Sequence, residues 1–451
     1  MSSQSQFSPQ ARSAAPHSLF CPSISPCIFV VVLFASVGLF VCMSMDLAND
    51  GLEKTNFIAP GTLRHKIHAS LPTTFWKLNP HGEAYWNQLQ LLIDRNFSPI
   101  LHPKFRKNGF ENTVLSESLL RQSFFEASDL TNMTRNFDEM PQKIQDFVSN
   151  MDKRDYPTVI QPDGVCGAGA KDEKGPPLLL LVIKTTESNF KNRQAIRQTW
   201  GEVGWVAGQN GSSSGGYVRR VFLLGKESQE ELGVDLSELL EQEGKHFGDI
   251  LQWDFQDTFF NLTLKDVHFW SWFSRFCGQT RFIFKGDDDV FVNTPKLITY
   301  LQDQLQKPQA HGTMPDFMVG DVIGAAFPNR MNNSKYYIPD SFYKGLYPAY
   351  AGGGGVVYSG LLSRRLHDVS KRVHLFPIDD VYVGMCMNRL EAYPVHHPAF
   401  LTFDFPEKEA NELCSYHRVL LVHKRSPSQL VRVWSHMKET QTQCSNVTLR
   451  E

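Results

Sequence analysis

The sequence predicts an α/β sandwich, because strand-like and helix-like segments alternate along most of the chain. A continuous apolar run at 178–185 is typical of a central parallel strand, and the segment after it, 188–200, has the pattern of a helix. Two further apolar runs, 282–284 and 290–292, flank three consecutive aspartates. With 451 residues, the chain is long enough for one large domain with appendages or for two domains.

The remaining elements are expected to continue this alternation. Ser188 is placed to cap the first helix, and a last helix is expected to start after Ser426, with Pro427 at its first position, and to run through Trp434. Between them the sequence predicts, in order, a Gly/Ser-rich loop, two strands, an aromatic-rich helix and a strand, at 208–216, 220–224, 250–255, 260–276 and 317–323.

The N-terminal part of the chain predicts a membrane anchor. Residues 27–45 form a nearly unbroken apolar run, and about 20 helical residues span a bilayer. Arg12 gives a weak positive bias before this run, which favours a cytosolic N-terminus. A cleaved signal peptide is the alternative, but it would have a shorter core and a small-residue cleavage site. The predicted organisation is a cytosolic tail, a signal-anchor, a stem, a luminal segment that packs on the main domain, and the main domain, at 1–26, 27–45, 46–72, 73–155 and 156–451.

Charge and cysteine content agree with a luminal protein that does not bind nucleic acid. The net charge is −2, so there is no basic excess to attract nucleic acid. Five cysteines follow the apolar run, so at least one is free or intermolecular, and none lies in a C-x-x-C pair of the kind that binds zinc. N-glycosylation sequons, which support luminal exposure, occur at Asn96, Asn132, Asn210, Asn261, Asn332 and Asn446.

The acidic run from Asp287 to Asp289 is the strongest candidate for a functional site. Three adjacent carboxylates between buried strands repel one another and are costly to desolvate, so we expect a cation to neutralise them. Because side-chain direction repeats every two residues at a strand end, Asp287 and Asp289 face one cleft. A hard divalent cation held there could bind a diphosphate. The alternative is a solvated acidic turn.

Three other features are candidates for the same site. Gly352 to Gly355 lead into an apolar run and allow a ligand to approach the backbone, unless they form a flexible surface loop. Asp379 and Asp380 fall in the first turn of a predicted helix, where they are either ordinary N-terminal stabilisers or include a general base. His423 follows an apolar run and is either structural or a metal ligand.

These segments together resemble the β-1,3-glycosyltransferases of glycosyltransferase family 31. The resemblance covers about 156–451 in order and depends on RQAIRQTWG, FNLTLK, FKGDDDVFVN, YAGGGG and DDVYVGMC. The segments FWKLNP, RDYPTVIQPD, KYYIP and VHLFPIDD are similar to the β-1,3-N-acetylglucosaminyltransferase branch, in particular to its polylactosamine-synthesising members.

The resemblance implies a GT-A-like nucleotide-sugar-binding fold with a mixed sheet, in a type II Golgi membrane protein. It also implies Mn²⁺, a UDP-GlcNAc donor and an acceptor glycan that ends in β-galactose. The implied reaction is an inverting transfer of GlcNAc to the 3-hydroxyl of that galactose, which extends poly-N-acetyllactosamine. A homo- or hetero-oligomer is compatible with such an enzyme, although no motif supports one.

Site residues are carried over by position in the motifs. Asp289 and His423 match the metal ligands, and Asp380 matches the general base, with Asp379 in reserve. Asp287 matches the residue on the ribose or diphosphate side. The predicted sugar-donor site also includes Asp288, Arg193, Arg197, Gly353 and Gly354. For Arg197 the alternative is a role in holding the domain together.

Two segments depart from the family's pattern, the Gly/Ser insertion at 208–216 and the loop at 328–333, so the acceptor is left open. The alternative functions are a β-1,3-galactosyltransferase of the same family and a type II membrane lectin that binds a glycan through a cation. A lectin needs neither a general base nor a diphosphate cleft, whereas the two transferases differ in their sugar donor.

Overall fold

A computed structural model describes residues 84–97, 137–162, 166–209, 211–307 and 314–451. Contacts divide the chain into two units, 1–57 and 58–451, and all described residues belong to the second. The expected tail, anchor and stem, and the sequons at Asn132 and Asn210, lie outside the described residues. In the part that is described, no helix is both long and apolar enough to cross a membrane.

The described strands and helices alternate as the sequence predicts. The strands are β1 (Thr158–Ile160), β2 (Leu179–Lys184), β3 (Gly204–Gly208), β4 (Gly211–Lys226), β5 (Ile250–Gln256), β6 (Phe282–Asp287), β7 (Phe291–Val292), β8 (Met318–Gly320), β9 (Val322–Ile323), β10 (Tyr350–Ala351), β11 (Gly355–Ser359), β12 (Val395–His396), β13 (Phe400–Leu401) and β14 (Leu421–Val422). The helices are α1 (Tyr85–Phe97), α2 (Gln142–Asn150), α3 (Phe190–Arg197), α4 (Gln229–Leu232), α5 (Ser237–Phe247), α6 (Leu262–Phe276), α7 (Thr294–Gln306), α8 (Gly360–Ser370), α9 (Asp379–Arg389), α10 (Glu407–Ala410) and α11 (Pro427–Thr440).

A mixed sheet lies at the centre, with the strand order β1-β5-β4-β2-β6-β11-β8-β12 and with β3 paired to β4. Strands β5, β4, β2 and β6 are parallel to one another, whereas β11 pairs antiparallel with both β6 and β8. The predictions of a central parallel strand at 178–185 and of a mixed sheet are therefore confirmed. Two small sheets, β10-β9 and β13-β14-β7, are formed in addition.

Both faces of the central sheet are covered by apolar side chains, which explains the continuous apolar sequence of β2. All six residues of β2 are buried. Leu179, Leu181 and Ile183 pack in one cluster, with residues of α3, α7 and α11, whereas Leu180 and Val182 pack in the other, with residues of α1, α2, α6, α8 and α9.

Charged residues replace apolar ones where β2 and β6 end. On the second face, the series that begins with Leu180 and Val182 continues with Lys184, which is in register with Asp287 at the end of β6. Both positions are at the carboxyl ends of parallel strands, the edge where open α/β sheets place their ligands. The fold therefore brings the first residue of the acidic run to this edge.

Three local predictions are wrong. The Gly/Ser segment 208–216 is not a loop but belongs to the turn region and second strand of the β3–β4 hairpin. Its glycines leave room for large neighbouring side chains, since a Cβ on Gly216 would lie 2.4 Å from Leu178. Ser188 does not cap α3; its N–H and hydroxyl donate to the Glu227 carboxylate at 2.6 and 3.1 Å. The strand predicted at 317–323 is divided into β8 and β9, which belong to different sheets.

The segment before the main domain packs on it through α1. Asp94 forms a buried, two-pronged ion pair with Arg389 of α9, with N–O distances of 2.8 and 2.6 Å. The Gln90 side chain donates to the Arg372 carbonyl and accepts from the His374 N–H, both at 2.9 Å. Helix α1 therefore supports the C-terminal end of the helix that begins with Asp379 and Asp380.

The structure describes all five cysteines that follow the apolar run. They confirm the prediction that at least one of the five has no disulfide partner within the chain. Cys166 is disulfide-bonded to Cys277 and Cys414 to Cys444. Cys386 is buried within α9 and is not disulfide-bonded. Its burial leaves no surface thiol for an intermolecular disulfide among the described residues.

Candidate functional site

The antiparallel pairing of β7 with β14 brings Asp289 next to His423. Asp289 lies just before β7 and His423 lies just after β14, so the pairing of the two strands sets the two residues side by side. The Arg425 N–H donates to the Asp289 carbonyl at 2.6 Å. Lys424, between His423 and Arg425 in the chain, has a left-handed φ of 62°, an uncommon conformation for a residue other than glycine.

Asp287, Asp289 and His423 converge on one point. The His423 Nε2 lies 3.2 Å from Asp289 Oδ1 and 3.8 Å from Asp287 Oδ2, and one ligand atom from each residue lies within 4.8 Å of the others. The opposite ring nitrogen, Nδ1, lies 3.1 Å from the Thr402 carbonyl. A hydrogen bond donated from Nδ1 leaves the Nε2 lone pair facing the carboxylates. Two carboxylates and an oriented imidazole are a donor set that fits a divalent cation such as Mn²⁺.

Asp288 points the other way, as the two-residue repeat predicts. It is buried and accepts hydrogen bonds from the Thr185 hydroxyl at 2.5 Å and from the Asn189 and Asn192 amides at 2.9 and 3.3 Å. Burial, together with the neighbouring aspartates, raises the pKa of Asp288 to about 6. The contact with the sugar donor that was expected of Asp288 is thus replaced by a structural contact, because its carboxyl group ties the acidic turn to the start of α3.

The glycines occupy the space between the two halves of the site. A Cβ on Gly353 would lie 3.6 Å from Asp380 Oδ2 and 4.0 Å from His423 Cε1. Gly354 has a φ of 88°, and a Cβ there would lie 3.1 Å from His423 Cβ. Glycine is therefore required at 354 by both backbone conformation and packing. At Gly353 the backbone thus comes close to both the candidate base and a candidate metal ligand.

Lys184 joins the acidic run to the start of α9. Its ammonium lies 2.5 Å from Asp379 Oδ2 and 3.2 Å from Asp287 Oδ1. A second buried pair, Lys285 with Asp266 at 2.7 Å, lies in the same layer. Burial alone would raise the pKa of Asp379, but Lys184 and Lys285 outweigh it and hold that pKa below its ordinary value. Asp379 is therefore ionised and committed to an ion pair.

Asp380 has the opposite electrostatic character, although it is the next residue in the same first turn. Part of the Asp380 residue is exposed to solvent. Its pKa is nevertheless raised to about 7, mainly because the carboxyl group is largely surrounded by protein and secondly because Asp379 is negatively charged. Neighbouring carboxyls with pKa values pushed apart in this way are typical of acid–base sites. The helix start predicted at these residues is confirmed, and the environment distinguishes their roles.

Arg193 and Arg197 hold the domain together. Arg193 is fully buried and pairs with Glu243 of α5 at 2.8 Å. Arg197 binds the same carboxylate at 2.6 Å and also Asp249 at 2.7 Å. Both guanidinium groups are thus used inside the protein, and the contact with the sugar donor expected of Arg193 and Arg197 does not fit this arrangement. It agrees with the alternative that the sequence left open for Arg197.

Lys184 and Thr402 also belong to the site, although neither was predicted from the sequence. Lys184 ends the apolar run of β2, and a lysine at the carboxyl end of a buried strand is a signal that could have singled it out. Thr402 contributes a backbone carbonyl, so no side-chain pattern identifies it.

Comparison with known proteins identifies the family. A family model described as "Galactosyltransferase" matches residues 191–398, a range that includes the acidic run, the glycines and the start of α9 but not His423. The N-acetyllactosaminide beta-1,3-N-acetylglucosaminyltransferase 2 of Homo sapiens is 41% identical over 372 residues, which are 82% of this chain and 88% of that protein. The Mus musculus protein of the same name is 41% identical over 370 residues, with the same two shares.

A third relative matches a smaller part of the chain. The UDP-GlcNAc:betaGal beta-1,3-N-acetylglucosaminyltransferase 9 of Bos taurus is 43% identical over 307 residues, which are 64% of this chain and 72% of that protein. The similarity to the human and mouse proteins extends over most of both chains. The chain therefore belongs to the galactosyltransferase family, glycosyltransferase family 31, and within it to the β-1,3-N-acetylglucosaminyltransferase branch.

Proposed function

We propose that this protein transfers GlcNAc from UDP-GlcNAc, with inversion, to the 3-hydroxyl of a terminal β-galactose on glycoprotein or glycolipid glycans. The observation that carries the proposal is Asp380, a partly exposed carboxyl group with a raised pKa, across Gly353 from the cluster of Asp287, Asp289 and His423. The activity named for the human and mouse relatives supports the choice of sugar donor and acceptor.

In the proposed mechanism Asp380 is the general base. A sugar hydroxyl is a weak nucleophile, so a carboxylate must accept its proton as the new bond forms. A pKa near 7 makes Asp380 a stronger base than an ordinary carboxylate and still leaves much of it ionised near neutral pH. Asp379 acts as a positioning residue, since its ion pair with Lys184 fixes the first turn of α9.

The tight ion pair of Asp379 also favours a single displacement. A double displacement would need a second carboxylate free to attack the sugar, as in retaining glycosidases. Asp379, the neighbour of the proposed base, is held 2.5 Å from the Lys184 ammonium and is not free. One displacement on an α-linked UDP-sugar gives a β-linked product.

We further propose that Mn²⁺ binds at Asp287, Asp289 and His423. When bound, the ion offsets the negative charge that develops on the departing UDP. The exposed fractions of the two aspartates, 34% and 43%, leave them accessible to a metal–diphosphate. In this arrangement Gly353 and Gly354 let the sugar donor approach the backbone beside His423.

For the cellular location we propose a single-pass type II protein of the Golgi membrane with a luminal catalytic domain. The two disulfides support an oxidising compartment. Asn332 and Asn446 are exposed sequons on the described surface, which agrees with luminal exposure. Protection of these sites from an external glycosidase in sealed Golgi vesicles tests the orientation; removal of their glycans without detergent would contradict it.

The second candidate is a β-1,3-galactosyltransferase, which the description of the matching family model favours. The test is transfer by the purified full-length chain, with UDP-GlcNAc and UDP-galactose in competition, Mn²⁺ and a lactosamine acceptor. A new β-1,3-linked GlcNAc on galactose is the expected product. Transfer of galactose alone would move the protein to this second activity. Membership of a transferase family counts against the lectin alternative.

A further inference from the structure

A groove of about 990 Å³ lies between α2, the 3₁₀ turn Phe259–Asn261 and the loop 332–337. Aromatic rings line it. Phe147 of α2 is buried and contacts Phe260 edge to face, with ring centres 6.1 Å apart, and the ring of Phe259 beside them is half-buried. Aromatic surface that stays open to solvent in this way is typical of a site that a ligand covers.

One wall of the groove carries an N-glycosylation sequon, which begins at the exposed Asn332. The Ser334 N–H donates to the Met331 carbonyl at 2.9 Å, which closes a turn with Asn332 at its second position. The Ser334 hydroxyl also accepts from the Tyr336 N–H at 3.1 Å. The backbone of the turn is thus fixed, whereas in the described part of the chain no hydrogen bond holds the Asn332 side chain.

A second sequon, at Asn261, lies on another wall of the same groove. Asn261 is half-buried, and its amide nitrogen donates to the Gln256 carbonyl at 2.8 Å. The hydroxyl of its sequon threonine, Thr263, is buried and donates to the Phe376 carbonyl at 2.6 Å. These contacts hold Asn261 against its own wall. Asn332, whose side chain has no such contact, is the better placed of the two to extend a sugar into the groove.

The loop that carries Asn332 is in direct contact with the aromatic surface of the groove. The Lys335 ammonium lies 5.1 Å from the centre of the Phe259 ring. Tyr336 contacts the same ring edge to face, with ring centres 5.2 Å apart. Because these two residues follow Asn332 by only three and four positions, the first sugars attached at Asn332 have the Phe259 ring within reach.

We propose that the groove holds the inner sugars of an N-linked glycan on Asn332, the two GlcNAc units next to the asparagine. The inference rests on the proposed luminal location, where such glycans are added. The apolar faces of the GlcNAc rings stack on Phe259 and Phe260, and their hydroxyl and amide groups reach the exposed Lys335 and Asp254 at the rim. Covalent attachment makes even weak contacts effective, because a ligand tethered at the edge of its site has a high local concentration.

The test measures how fast peptide-N-glycosidase removes each glycan from the native full-length protein, made in cells that add N-glycans. Mass spectrometry follows the conversion of each glycosylated asparagine to aspartate. Asn446, which is exposed and lies outside the groove, is the internal control. Release at Asn332 should be about tenfold slower than at Asn446, because the sugars must first leave the aromatic surface. Phe259→Ala should make the two rates similar, and Phe259→Tyr should behave like the wild type.

Trp205→Ala is the matched control variant, because Trp205 is 53% exposed and lies outside the groove. It should leave both release rates unchanged. Equal rates at Asn332 and Asn446 in the wild type would overturn the proposal. So would slow release at Asn332 that persists in Phe259→Ala, since the turn itself would then protect the glycan.

A second measurement does not depend on whether Phe259→Ala folds. Asn332→Gln removes the glycan and should open the groove to free N,N′-diacetylchitobiose, so this variant should give a larger saturation-transfer NMR signal than the wild type or Asn446→Gln. Equal signals on all three proteins would overturn the proposal. A gain in Asn261→Gln instead would assign the groove to the other glycan, and would also overturn it.

The proposed activity and location can fail separately from this inference. Neither measurement uses sugar transfer, so both keep their meaning if the activity assignment is refuted. A glycan on Asn446 without one on Asn332 would refute the inference alone. The absence of glycans from both residues would refute the luminal location and the inference with it.

Discussion

The two aspartate groups of the site differ in how the fold treats their charge. The acidic run from Asp287 to Asp289 begins at the last residue of β6, and its first and third carboxylates are partly exposed and face His423. Asp379 and Asp380 open a helix, where one carboxyl group is ion-paired and the other has a raised pKa. The environment of Asp287 and Asp289 thus suits the binding of a cation, whereas that of Asp380 suits the uptake of a proton.

Lys184 is the reason that the two groups differ and still act together. Its ammonium contacts Asp287 and Asp379 but has no described contact with Asp289 or Asp380. In each group, therefore, the lysine contacts one carboxylate, that of Asp287 or Asp379, and forms no ion pair with another that faces the cleft, that of Asp289 or Asp380. Changes at the site should separate these functions, with the largest effect at the proposed base.

Replacing Asp380 with Asn should lower kcat/KM by about 10²- to 10⁴-fold, because an amide cannot accept the hydroxyl proton. UDP affinity should stay within a factor of two or so, since a general base does not hold the nucleotide. Transfer assays and calorimetric titration with UDP and Mn²⁺ measure the two quantities. The matched control is Asp368→Asn, on the exposed face of α8. Wild-type turnover in Asp380→Asn would exclude this residue as the base.

Replacing Lys184 with Met should reduce the free energy of unfolding by about 3–5 kcal/mol, because Asp379 is then buried without its partner. Urea unfolding at pH 7 measures the loss. The same change at Lys371, which pairs with Asp368 on the surface, should cost no more than about 1 kcal/mol. A similar small loss in both variants would show that Lys184 does not link the two aspartate groups.

Replacing His423 with Ala should raise the Mn²⁺ concentration for half-maximal activity by at least about tenfold, by analogy with the loss when a metal site's supporting groups are removed. Asp379 and Asp380 of α9 are unchanged in this variant, so turnover at saturating Mn²⁺ should recover in part. His436→Ala, an exposed histidine of α11, is the control. An unchanged metal titration would argue that His423 is not a ligand.

Features with a local repeat could be predicted from the sequence. The apolar run of β2, the alternation that separates Asp288 from its neighbours and the capping box at Ser426 each depend on residues close together in the chain. These patterns placed both aspartate groups on the correct elements. They also gave the turn of α9 on which Asp379 and Asp380 lie.

Features that depend on distant partners could not be predicted in the same way. Whether Arg193 faces a ligand or the interior is decided by Glu243, which lies 50 positions away on α5. The ion pair of Lys184 with Asp379 joins residues 195 positions apart. Position in the predicted helix left both Asp379 and Asp380 open, and the family resemblance favoured Asp380 as the base. The ion pair of Asp379 gives a structural reason for that choice.

The pH dependence of activity should show separate contributions from the proposed base and from the proposed metal site. Asp380 must be ionised to accept a proton, and its pKa is raised to about 7, so kcat should fall as the pH drops below neutrality. The fall should approach about tenfold per pH unit well below that pKa. Rates from pH 5 to 8 at saturating substrates measure it.

His423 titrates in the same direction for a different reason. Burial lowers its pKa, but Asp289 and Asp287 outweigh this and raise it, and a protonated imidazole cannot bind a metal. Protons and Mn²⁺ then compete, so a limb due to His423 should move to lower pH as Mn²⁺ is increased. A limb due to Asp380 should stay where it is once the metal site is saturated. A profile that shifts with every increase in Mn²⁺ would place the titration at the metal cluster and remove this support for Asp380 as the base.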